Sequence, residues 1–192
     1  MSVAIFGHSY VRDLQQLGRS EILFKNETVS LDYFSFPGYG FRNFLDRKHL
    51  ISDLVACAPD IVIILLGGND IKIDIDLNIV KKDCEDFYLF LRSKLPKSFI
   101  IASQVEHRHL DVPNRHGTPS VDLYKKLANN FNKWLARQSF KDKILLLNGA
   151  DKLSNSIFFR NDGIHLNQKG LSLTFDLILS CLEDPLSNIL HK

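Results

Sequence analysis

Asp162 and His165 stand three residues apart in Phe159-Arg160-Asn161-Asp162-Gly163-Ile164-His165-Leu166-Asn167, close to the end of a 192-residue chain. A carboxylate and an imidazole this close on a loop can work together, with the imidazole near pH 7 free to accept a proton and return it. The nucleophile that would use such a base is Ser9, in Ile5-Phe6-Gly7-His8-Ser9-Tyr10. The apolar run Val3 to Phe6 ends at Gly7, and Tyr10, Val11, Leu14 and Leu17 then follow at helical spacing, so Ser9 falls where a strand turns into a helix. A hydroxyl there lies near the free N–H groups of a helix start, which suits an attack that generates an oxyanion. Taken singly, each residue has a plainer reading. Ser9 would be a helix N-cap, Asp162-Gly163 a tight turn, and His165 a hydrogen-bonded surface histidine.

The elements that must position these residues alternate. Short apolar runs at 2–7, 28–36, 60–66, 98–104 and 143–147 read as strands, and amphipathic stretches at 10–18, 41–57, 76–95, 120–138 and 168–183 read as helices. Asp60-Ile61-Val62-Ile63-Ile64-Leu65-Leu66 is the continuous apolar run expected of a parallel strand buried on both faces. In the helix at 76–95 the predicted inward face is Ile79, Val80, Phe87, Leu91 and Leu95. The pattern predicts an α/β fold, a five-stranded parallel sheet covered on both faces by helices in one domain spanning residues 1–192. Right-handed crossovers bring the C-terminal ends of parallel strands to one edge. Ser9, the Pro37-Gly38-Tyr39-Gly40 turn, Asn69, the loop after 104 and the Asp162-His165 loop all follow strands, so all fall on that edge.

Composition narrows the class. Charged residues make up 24% and hydrophobic residues 45% of the chain, and the net charge of +2 is dispersed, with no basic run to mark a nucleic-acid footprint. No stretch approaches the ~20 apolar residues that span a bilayer, and no leader is apparent. Cys57, Cys84 and Cys181 lie far apart without CxxC spacing, which argues against a disulfide framework or a zinc site. Cys57 and Cys181 are expected in the core, and their pattern fits an intracellular, reducing compartment, the cytoplasm. No HExxH or similar spacing suggests a metal, and no GxGxxG or P-loop pattern follows the first strand to cradle a nucleotide.

Four blocks in this order, Gly7-His8-Ser9, Pro37-Gly38, Gly67-Gly68-Asn69-Asp70 and Asp162-Gly163-Ile164-His165, resemble the signature blocks of the SGNH (GDSL-like) hydrolase family. The resemblance spans nearly the whole chain. His8 departs from it, since the family mostly has Asp there, and the Gly-His-Ser form is also similar to SGNH-like domains of animal transposable-element proteins. The resemblance implies a flavodoxin-like three-layer α/β/α fold and a cofactor-independent serine esterase. Ser9 would be the nucleophile, His165 the base and Asp162 its partner. The oxyanion donors would be Ser9 N–H, Asn69 and Gly38, with Gly40 as the other candidate in the same turn. It implies a small-molecule, lipid or sugar ester as substrate, and the absence of an obvious lid favours short acyl groups, acetyl in particular. The alternative is a catalytically degenerate binding or interaction module, possible in a mobile-element protein. His107, Arg108, His109, Arg115 and His116, in the loop after the fourth strand, are candidates for an anionic or polar substrate, against the plainer reading of a solvated loop.

Overall fold

The structure is a computed structural model and describes residues 1–109, 119–138 and 144–190. Its centre is a six-stranded sheet in the order β2-β3-β1-β4-β5-β6. The strands are β1 (Ser2–Gly7), β2 (Glu21–Phe24), β3 (Glu27–Ser35), β4 (Ile61–Leu65), β5 (Phe99–Ser103) and β6 (Ile144–Leu147). β3, β1, β4, β5 and β6 run parallel, in registers that set Val3 beside both Leu31 and Ile61, and Ile64 beside Ala102. The helices are α1 (Ser9–Gln15), α2 (Phe41–Asp46), α3 (Ser52–Cys57), α4 (Leu77–Lys94), α5 (Val121–Arg137) and α6 (Gln168–Leu190).

Both faces of the sheet are apolar because successive side chains of a strand point to opposite sides. Val3 and Ile5 of β1 and Ile61, Ile63 and Leu65 of β4 join Leu14, Phe175 and Ile178 in one core, under α1 and α6. Ala4 and Phe6, with Val62 and Ile64, join Phe44, Phe87 and Phe131 in the other, under α2, α4 and α5. Among the described residues no helix is long and apolar enough to cross a membrane.

The differences from the sequence reading are local. The sheet has six strands rather than five, because Glu21–Phe24 pairs antiparallel with β3 at the edge. The two strands are joined through Lys25 and Asn26, both at positive φ. That backbone usually calls for an Asn-Gly or Asp-Gly signal, which is absent here. The predicted helix at 41–57 is α2, a 3₁₀ turn (Lys48–Ile51) and α3 in succession. Phe44, Ile51 and Leu54 still reach the core, but the polar run Asp46 to His49 offers no apolar face for another α-turn. α6 runs beyond the predicted 183 to Leu190, with Leu182 and Leu186 buried along its face. Ile79 is exposed, not inward. Cys57 is exposed, its thiol donating to Asp32 Oδ2 at 3.5 Å, and Cys181 is half-buried, so the thiol wholly in the core is Cys84. Lys143, the predicted start of the fifth strand, lies outside the described residues.

β1 ends where the site begins. A Cβ on Gly7 would lie 2.1 Å from the Leu65 carbonyl oxygen, the atom that accepts the His8 N–H at 3.2 Å. Glycine is what lets β1 and β4 approach at this point. Gly7→Ala is expected to lose about 3 kcal/mol of stability by forcing the two strands apart. Urea unfolding of the two proteins checks this, and an unchanged midpoint would contradict it.

Candidate active site

The turn after β1 places Ser9 at the first position of α1. His8 caps that helix, its Nδ1 accepting the Tyr10 N–H at 3.4 Å. Burial, then the charges of Arg108 and His165, push the His8 pKa down to about 4, so the ring is neutral at pH 7. With Nδ1 accepting, the ring proton sits on Nε2, beside Gly68. Among the described residues neither the Ser9 N–H nor its Oγ has a hydrogen-bond partner, and no hydrogen bond joins Oγ to His165.

The loop between β6 and α6 carries Asp162 and His165 as one unit. Asp162 Oδ2 lies 2.7 Å from His165 Nδ1, while its Oδ1 accepts the N–H groups of Ile164 and His165, each at 2.9 Å. Burial acts to raise the Asp162 pKa, but the bonds from the His165 ring and from the two backbone N–H groups outweigh it and hold the carboxyl below its usual range. A turn closes behind the pair, with Gly163 N–H donating to Arg160 O and Arg160 N–H to His165 O. Asn167 locks the loop to α6. Its Nδ2 donates to the carbonyls of Ile157 and Phe159, and its Oδ1 accepts the N–H groups of Lys169 and Gly170.

Two contacts fasten this loop to α1. The Tyr10 hydroxyl donates to Ile164 O at 2.5 Å, and Arg160 pairs with the buried Asp13 at 3.2 Å. Tyr10 and Asp13 are three residues apart and therefore on one face of the helix. The charge of His165 also acts on His8, the residue that precedes Ser9.

The turns after β3 and β4 meet at a third point. Gly38 has φ +83°, and its N–H has no acceptor among the described residues. Gly40 N–H is taken by Asn43 Oδ1 at 2.8 Å. Asn69 Nδ2 donates to Tyr39 O at 3.1 Å, which leaves its second amide proton free to serve another acceptor. Asp70 Oδ1 accepts the Phe41 N–H at 3.0 Å, so the start of α2 is tied to the residue after Asn69. Burial pushes the Asp70 carboxyl up to about 7.

Ser9 and Asn69 line one small cavity together with Tyr10, Glu106, Arg108 and Tyr124. Arg108 donates to Gly68 O at 3.0 Å and lies 4.2 Å over the Tyr124 ring, whose hydroxyl donates to the same carbonyl at 3.3 Å. Of the loop residues named from sequence, Arg108 thus reaches the site. His107 Nε2 instead lies 2.9 Å from Asn129 Oδ1 and the His109 ring packs on Phe159, while Arg115 and His116 lie outside the described residues. Tyr10, Glu106 and Tyr124 were not legible as site residues. Tyr10 and Tyr124 carry the helical apolar pattern of core positions, and a single Glu after a strand has no signature.

A family model described as GDSL-like lipase/acylhydrolase matches residues 7–173. No curated protein matches the sequence. Among solved structures, a lipase/acylhydrolase from Enterococcus faecalis is 19% identical, with TM-score 0.65 over 95% of each chain. A carbohydrate esterase family 3 structure from Talaromyces cellulolyticus is 16% identical, with TM-score 0.67 over 98% of this chain and 99% of that one. An acetyl xylan esterase is 13% identical, with TM-score 0.63 over 94% and 99%.

Two consequences of this geometry are measurable. His8 has a folded pKa of about 4, below the ordinary 6.5, so the unfolded chain binds the proton first. Its contribution to stability is complete above pH 6.5 and is lost as pH falls toward 4, on the order of 3 kcal/mol in all. Stability measured against pH is expected to fall less steeply across this window in His8→Asn, which keeps a capping acceptor but does not titrate; parallel curves would contradict the assignment. Tyr10→Phe removes the bond to Ile164 O and is expected to cost about 1 kcal/mol in urea unfolding.

Proposed function

The chain belongs to the GDSL-like lipase/acylhydrolase family, hydrolases acting on ester bonds, and we propose that it acts as a serine esterase through an acyl-enzyme on Ser9. The observation that carries this reading is the Asp162–His165 pair at 2.7 Å, on the loop that Tyr10 joins to the helix beginning at Ser9.

Asp162 engages Nδ1 of His165 and leaves Nε2 as the basic nitrogen. Nε2 takes the Ser9 proton as Oγ attacks the ester carbonyl. The oxyanion that forms accepts the N–H of Ser9, the N–H of Gly38 and the second amide proton of Asn69. The free N–H of Gly38 against the engaged N–H of Gly40 favours Gly38 as the donor in that turn. Collapse of the tetrahedral intermediate breaks the C–O bond to the alcohol, which leaves with the proton from His165. Water activated by the same imidazole then releases the acid and restores Ser9.

The acyl group is short, acetyl in particular. Structures of similar fold include a carbohydrate esterase and an acetyl xylan esterase, which supports this reading.

Hydrolysis of p-nitrophenyl acetate by the wild type, Ser9→Ala and Asn69→Ala tests the mechanism. Ser9→Ala is expected to remove turnover and Asn69→Ala to lower kcat about 100- to 1000-fold, with circular dichroism unchanged. Full activity in Ser9→Ala would refute the acyl-enzyme, and a folded wild type without turnover would favour a binding module instead. Across p-nitrophenyl esters of rising chain length, kcat/KM is expected to fall after acetate; a maximum at long chains would refute the short acyl pocket.

A further inference from the structure

Glu106 has no role in the chemistry above, yet it lines the same small cavity as Ser9. Its carboxylate lies close enough to the hydroxyls of Tyr10 and Tyr124 for its charge to raise the pKa of both. Neither phenol serves it, because each has one proton and both protons are engaged, Tyr10 on Ile164 O and Tyr124 on Gly68 O. Arg108, on the wall of the same cavity, donates to Gly68 O and stacks on Tyr124. Among the described residues no side chain donates to or pairs with the Glu106 carboxylate, whose donor is its own backbone N–H. Burial pushes its pKa up to about 7. Glu106 is half-buried, and a carboxylate that no side chain serves keeps lone pairs open to a donor that a ligand brings.

The charges around the cavity limit what that ligand can be. A cation would face Arg108 and an anion would face Glu106. A hydroxyl can donate to the carboxylate and accept from the guanidinium, and the free volume of about 20 Å³ is close to the size of one such group. On the reading of Ser9 as the nucleophile, we propose that Glu106 selects the alcohol side of the ester, favouring a neutral polyhydroxylated alcohol that places one further hydroxyl against this carboxylate. Arg108 is the facing donor.

The test compares two acetate esters, a monoacetylated glucose and ethyl acetate, which share the acyl group and differ in hydroxyls. The wild type is expected to prefer the glucose ester by about tenfold or more in kcat/KM, and Glu106→Ala to reduce that preference by about tenfold or more, mainly through KM. Glu106→Gln, which keeps a carbonyl acceptor, is expected to retain part of it. A wild type without preference, a preference that survives Glu106→Ala, or equal losses on both esters would overturn the proposal. A second arm needs no turnover. Calorimetric binding of the monoacetylated glucose to Ser9→Ala is expected to weaken about tenfold when Glu106→Ala is added, and an unchanged Kd overturns the proposal. If the wild type hydrolyses neither ester, the nucleophile reading fails, while this binding arm still decides Glu106.

Discussion

The site depends on a clasp between the two ends of the chain. Ser9 comes at the start of the first helix and Asp162 and His165 just before the last, and what joins them is one face of α1, through Tyr10 to Ile164 and Asp13 to Arg160. Asp13 is almost wholly buried and shared between Arg12 and Arg160, so its charge is compensated from two sides. Removing one partner of such a pair leaves a buried charge exposed to its full desolvation penalty. The Asp162 loop is stiff within itself, through Asn167 and the turn at Gly163, and is therefore positioned as a body. The two contacts to α1 fix where that body sits relative to Ser9.

Electrostatics at the Ser9 turn differ from those of a carboxylate cap. An Asp before the serine would bring a negative charge to the turn at Ser9. His8 gives the helix the same acceptor with no charge at neutral pH. The buried groups nearby follow the same rule, since burial drives Asp70 and Glu106 toward their neutral forms as it does His8.

Much of this was legible in the sequence because it is local. Three residues separate Asp162 from His165, and a strand, a turn and a helix start surround Ser9; periodicity and turn chemistry report such features directly. The apolar run at 60–66 foretold β4 because burial on both faces leaves no alternation to confuse. What escaped was set by tertiary contacts. β2 is a short strand with an exposed Leu23, held by pairing with β3 and by positive φ at Lys25 and Asn26 that no glycine signalled. Cys57 and Ile79 sit in apolar segments whose inward faces are occupied by other residues. Glu106 and Tyr124 belong to the site only because β5 and α5 converge on Gly68, an encounter between distant segments that spacing along the chain does not encode.

The carbonyl of Gly68 accepts from both Arg108 and Tyr124, and the next residue is Asn69. A single peptide plane is thus a mechanical pivot, loaded from one side by the segment after β5 and carrying an amide donor on the other. Arg108 and Asn69 meet on the two sides of one peptide. On the proposed reading, a substitution at Gly68 would reach both the hydroxyl-facing side chain and the amide of Asn69 through this one peptide.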